Sequence, residues 1–160
     1  MRQLQSVLAA WAAALLLGGL LSAAPVQAAV PADQRPTAQK RYANSAFKAT
    51  NNRRADHGRR ALKRNDCIQK WARRNARRMA RLQVMDHQRM RPIMRDCGRV
   101  PAENIAYGYP TGRAVVRGWM HSDGHRANIL DRGHRVMGIA ARKGADGRWY
   151  VAQVFGGRRF

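Results

Sequence analysis

Acid is what this chain has least of. Nine Asp and Glu stand against 31 Lys and Arg in 160 residues, a formal net charge of +22, and Glu103 is the only glutamate. Twenty-six of the bases are arginine, spread along the chain with no single block. Such a surface favours anionic polymers and lipids; the plain alternative is a well-solvated face. No helix-turn-helix, zinc-finger or aromatic ribonucleoprotein pattern accompanies the charge, so no specific nucleic-acid partner is expected. Repeats and low-complexity segments are also missing.

Long apolar runs are missing too. The one at 7–21 is about 15 residues, short of the roughly 20 that span a bilayer. Arg2 precedes it, and Val26-Gln27-Ala28 follows with small residues at the −3 and −1 positions. Residues 1–28 therefore read as a secretory signal cleaved after Ala28. The mature protein is then extracellular and not membrane-spanning. Residues 29–36, with Pro31 and Pro36, read as a flexible leader, and 37–160 as one domain with length enough for a core. Only two cysteines occur, Cys67 and Cys97. In an oxidising compartment they are expected to be bridged, which leaves no cysteine nucleophile.

The organising stretch is 113–140, which holds three of the five histidines. Ala114, Val115, Val116 and Trp119 make a short apolar helical face. Ser122-Asp123-Gly124 then reads as a cap for a helix over 125–130. His125 falls in its first turn, where the partial positive charge disfavours imidazolium and keeps the ring neutral. A surface histidine without a role is the bland reading.

Upstream, a helix is expected from about Thr37 to near His57, with Tyr42, Ala43, Ala46, Phe47 and Thr50 on one face and Gly58 as its stop. Leu62 anchors the linker that follows. Asp66 caps a second helix over 67–82, with Ile68, Ala72, Ala76, Met79 and Ala80 buried. Its opposite face, Arg73, Arg74, Arg77 and Arg78, is the candidate polyanion-binding surface. Residues 87–100 read as irregular and 101–108 as a short strand. A hairpin over 135–142 and 148–155 turns on Asp146-Gly147.

Taken in order, Asn51-x-x-Arg54-x-x-His57-Gly58-x-x-x-Leu62, Met79-Ala80, His87, Glu103-Asn104-Ile105-Ala106, Trp119-x-x-Ser122-x-Gly124-His125-Arg126-x-Asn128-Ile129-Leu130, Gly138 and Tyr150-x-x-Gln153-x-Phe155-Gly156 resemble the CAP superfamily (cysteine-rich secretory proteins, antigen 5 and pathogenesis-related 1) in its compact bacterial secreted form. The resemblance covers 37–156. It implies an α+β fold, a three-layer α-β-α sandwich around a small, mainly antiparallel sheet.

It also implies a cleft of two histidines and two glutamates, the histidines binding a divalent metal, often zinc. His125 matches one histidine, His87 the other and Glu103 one glutamate, which together make the expected metal set. Zinc would be held weakly. Two departures stand out: His87 lies further from Glu103 than in the compact form, and Ser122 falls near the place of the second glutamate. That loss favours a non-enzymatic binding module for an unknown extracellular ligand. A metal-dependent hydrolase of a wall or protein substrate, and a binder of anionic polymers or lipids through charge alone, are the rivals. Ser122 and His125 have neither a third orienting group nor a nucleophile elbow beside them, so no catalytic residue is assigned.

Overall fold

The computed structural model describes residues 37–98 and 102–157; the expected signal sequence and leader lie outside the described residues. Thr37 caps the first helix, α1 (Ala38–Asp56), by accepting from the Lys40 amide at 3.3 Å. Tyr42, Ala46, Thr50 and Arg54 recur every four residues along α1 and are buried, one turn apart on one face. Gly58, at φ +62°, takes the left-handed turn that releases the chain. The Asn51 side chain then bonds both Leu62 N and Leu62 O, at 2.9 and 3.0 Å. That clamp holds Leu62 in the core and lays out β1 (Lys63–Arg64). Both β1 side chains are exposed, so no apolar alternation announces the strand.

The second helix, α2 (Asp66–Leu82), is capped one residue earlier than its sequence suggests: Asn65 Oδ1 accepts from Ile68 N at 3.0 Å. Asp66 instead occupies the first turn, where its charge suits the positive helix end. Residues 87–100, expected to be irregular, contain α3 (Met90–Cys97). Pro92 does not oppose it, because a proline in the first turn removes a donor that has no intrahelical partner. Cys67 and Cys97 are bridged, with Cα atoms 5.7 Å apart, and the bond ties the start of α2 to the end of α3. The two cysteines are 30 residues apart in sequence, and closing such a loop contributes about 2–4 kcal/mol.

The remaining elements are β2 (Ala102–Tyr107), α4 (Gly112–Met120), α5 (Asp123–Leu130), β3 (Val136–Lys143) and β4 (Trp149–Gly156). The sheet order is β1-β3-β4-β2, antiparallel except for the β1–β3 pair. Alternation along β3 and β4 divides the core in two. Met137, Ile139, Ala141, Val151 and Phe155 meet α1, α4 and α5; Ala140, Tyr150, Ala152 and Val154 meet α2 and α3. The expected α-β-α sandwich is therefore the architecture found. Gly138 sets the α2 layer's distance, since a Cβ there would lie 2.6 Å from Gln69 N. No helix among the described residues is long and apolar enough to cross a membrane.

Candidate functional site: a histidine cleft at the edge of the sheet

Both histidine-bearing segments are tied to β2, an edge strand whose neighbouring residues Glu103 and Asn104 point to opposite faces, as strand geometry requires. On the α2 side the Glu103 side chain is completely buried. Its Oε1 accepts from Asn75 Nδ2 at 2.9 Å and Gln88 Nε2 at 2.7 Å. Its Oε2 accepts from His87 Nδ1 at 2.9 Å and Gln88 N at 3.2 Å. A carboxylate offers about four acceptor positions, and all are taken. Because a carboxylate accepts, His87 Nδ1 carries a proton, and in the neutral ring Nε2 keeps its lone pair. The His87 side chain is 57% exposed.

On the other face Asn104 does for α5 what Glu103 does for the His87 segment. Asn104 Nδ2 donates to His125 O at 3.2 Å and to Gln153 Oε1 at 3.1 Å, while its Oδ1 accepts from Asn128 Nδ2 at 2.9 Å. Gln153 Nε2 continues the network to Thr50 Oγ1 at 2.8 Å. Trp119 supports the same segment, donating from Nε1 to Ile105 O at 3.2 Å and lying 6.4 Å from the His125 ring centroid. Ser122 occupies the N-cap position of α5 but makes no capping bond. Its Oγ is instead 2.9 Å from His125 Nδ1.

Two adjacent residues thus hold the two histidine-bearing segments from opposite sides of one strand. Burial first, then the nearby His87, lowers the His125 pKa from its ordinary value. His87 and Glu103 are brought together, as are Ser122 and His125. Among the described residues no group of three His, Cys, Asp or Glu converges as a metal centre would require. The four candidate arginines part company. Arg78 is engaged by Asp86 Oδ2 at 3.0 Å and Asn75 Oδ1 at 3.1 Å, and Arg74 lies over the Trp71 ring at 4.9 Å. Arg73 and Arg77 line a groove between α1 and α2.

Asn75, Gln88, Asn104, Asn128 and Gln153 carry the site's hydrogen bonds, and sequence reasoning assigned them no role. One signal was available for Asn75: it interrupts an otherwise apolar buried stripe. His134 was missed as well. Its ring is 2% exposed and stacks on Phe155 at 4.8 Å. Nδ1 lies 2.9 Å from Asn128 O, and since a carbonyl only accepts, Nδ1 bears the proton. Burial lowers the His134 pKa, with Arg54 and Arg135 acting the same way, while Asp131 and the Asn128 bond oppose them.

The folded protein therefore resists a proton that the unfolded chain binds below about pH 6.5. Stability is full above that pH and is lost as pH falls through it. We expect the melting temperature to drop between pH 7.5 and 5.5. The drop should be smaller in His134→Asn, whose amide can keep the bond to Asn128 O but cannot titrate. Parallel profiles for the two proteins would remove His134 as the cause; His125 contributes with the same sign in both.

The profile of the cysteine-rich secretory protein family (CAP) matches residues 47–155. The uncharacterized protein YkwD of Bacillus subtilis is 30% identical over 112 residues, which span 65% of this chain and 44% of YkwD. Among solved structures, an extracellular protein of Bacillus anthracis containing an SCP domain superposes with a TM-score of 0.66 at 21% identity, over 82% of this chain and 45% of that one. An outer surface protein of Borrelia burgdorferi gives 0.61 at 17% identity, over 71% of this chain and 90% of that protein. The chain thus spans less than half the length of YkwD and of the Bacillus anthracis protein. With its family profile, sandwich and Glu103-Asn104 edge strand in agreement, the chain belongs to the CAP family of cysteine-rich secretory proteins.

Proposed function

We propose that this chain is a secreted, non-enzymatic CAP binding domain whose cleft takes a divalent cation, zinc above others, between His87 and His125. One observation carries the reading: the Nδ1 of each imidazole meets a protein oxygen, Glu103 Oε2 or Ser122 Oγ. The neutral His87 ring therefore has Nε2 to offer, and His125 has it in the tautomer whose Nδ1–H donates to Ser122 Oγ. Imidazole suits zinc, and a carboxylate behind a ligating histidine fixes its tautomer and raises its basicity.

Glu103 serves in this way and not as a ligand, since both its oxygens are occupied. Two imidazoles fall short of the four ligands of a structural zinc site, so water completes the shell and the ion is held weakly. Gln88 Oε1, buried without a partner among the described residues, gives the cleft an acceptor to spare. The net positive charge weakens the affinity further.

Hydrolysis fits less well. A carboxylate acting as general base must be free to take a proton, and Glu103 is committed to four donors. Among the described residues no carboxylate hydrogen-bonds His125, so the Ser122–His125 pair has no third member. The formed disulfide and the extracellular Bacillus anthracis neighbour support placement outside the cell.

Zinc titration of chelator-treated protein at pH 7.5, followed by calorimetry, tests the reading. His87→Ala and His125→Ala should each abolish binding. Glu103→Gln should weaken it about 10–100-fold, as loss of a supporting partner does. Affinity should also fall as the pH is lowered and protons compete for the rings. Binding that survives removal of either histidine would place the ion elsewhere.

A further inference from the structure

At the sheet edge opposite the cleft, β3 runs past its short partner with backbone groups to spare. β1 pairs with it only at Val136 and Met137. At the next outward-facing residue, Ile139, a side chain stands in for a strand. Gln69 Nε2 donates to Ile139 O at 2.9 Å, and Ile139 N donates to Gln69 Oε1 at 3.1 Å. Backbone groups alternate in direction along a strand, so Ala141 and Lys143 aim their N–H and C=O the same way as Ile139. No bond from another described segment reaches them.

This open edge faces a groove of about 1270 Å³ between α1 and α2. Its floor includes Ala76, Ala140 and Ala141, small side chains that leave the backbone approachable. The rim carries Lys40 and Lys48 on α1, Arg64 on β1, Arg73 and Arg77 on α2, and Arg142 on β3, against one lining acid, Asp66. None of those six cations forms an ion pair among the described residues.

We propose that the groove binds an extended acidic peptide segment, which adds as a strand to β3 at Ala141 and Lys143 while its carboxylates meet the rim. The two features select one occupant together. An acyl chain meets the alanine floor but leaves the strand's N–H and C=O groups unpaired, which is costly once water is excluded. A polyanion without amides answers the rim but not the edge. In an added strand, successive side chains point alternately to the α1 and α2 sides, and cations line both. The main chain would supply affinity and the carboxylates selectivity and rate of encounter. This site is independent of the histidine cleft.

The test uses the whole chain with its disulfide intact and a labelled peptide of repeating Glu-Glu-Val-Val, which as a strand presents carboxylates to both sides, followed by fluorescence anisotropy at low salt. A second peptide of the same sequence carries N-methyl groups on alternate amides, which keeps the charge and removes strand pairing. We expect the parent peptide to bind, with affinity falling as salt rises. N-methylation should weaken it about tenfold or more. Ala141→Pro removes only an outward-facing N–H, a change edge strands tolerate, and should do the same; Arg73→Gln with Arg77→Gln should also weaken binding. The methylated peptide decides the matter even if a variant fails to fold. Equal binding of the two peptides would reduce the groove to a charged surface and overturn the proposal. So would binding of phosphatidylglycerol vesicles with none of the peptide, or no binding of either.

Discussion

Glu103→Ala is expected to destabilise the protein by about 2–5 kcal/mol, the cost of leaving the buried donors of Asn75 and Gln88 unpaired. The loss is unequal among the four donors. Asn75 is 1% exposed, so its amide has no water to turn to and bears most of the desolvation penalty. His87 is more than half exposed and recovers solvent bonds at little cost. Glu103→Gln keeps the shape but sets an amide N–H against donors, and should cost about 1–3 kcal/mol. Urea denaturation measures both. Hydrogen exchange adds a spatial check: the segment at 84–88 should lose protection in Glu103→Ala, whereas α5, held by Asn104, should keep it. A variant with the wild-type midpoint would mean that the carboxylate does not organise the cleft.

That network also marks how far the sequence could be read. Helices α1 and α2 and the β3–β4 hairpin repeat their apolar residues over several turns or alternations, and their order was legible. The α3 helix was not, because eight residues bury only Ile93 and Cys97, a single pair one turn apart that no period distinguishes from chance. β1 exposes both its residues and exists because Asn51 clamps Leu62 beside the sheet. The histidines and Glu103 were found as types in an order. Their connection was hidden, since buried polar networks have no period. Asn104 and Gln153 nevertheless left a trace: each is an amide in a strand that, Glu103 aside, is apolar, and the two stand wholly buried and opposite in register. Such a pair repays its burial only by bonding, here to each other and to α5.

Arg54 poses the same question for a charge, and the answer is expected to be as large. In the sequence Arg54 stands only as one position of a motif, with no role assigned, yet it is 1% exposed. Its Nε donates to Arg60 O at 2.8 Å, and its Nη1 to Ile129 O at 2.5 Å and Asp131 O at 2.9 Å. Those carbonyls belong to the linker after α1 and to the end of α5, where helix geometry leaves oxygens without partners. Burial lowers the Arg54 pKa and Asp131 opposes that, so the charge is kept by what surrounds it. Arg54→Ala strands the carbonyls and empties the volume of a long side chain, for about 3–5 kcal/mol. Arg54→Lys should recover only part, because one ammonium cannot reproduce the planar fork. The neighbouring Arg53 is the control. It pairs with Asp56 at 3.2 Å with both side chains about half exposed, and such a pair is worth under about 1 kcal/mol. If Arg53→Ala and Arg54→Ala unfold at the same urea concentration, the buried guanidinium does not join α1 to α5. If they differ as expected, Arg54→Ala should also weaken zinc, because the helix it anchors carries His125.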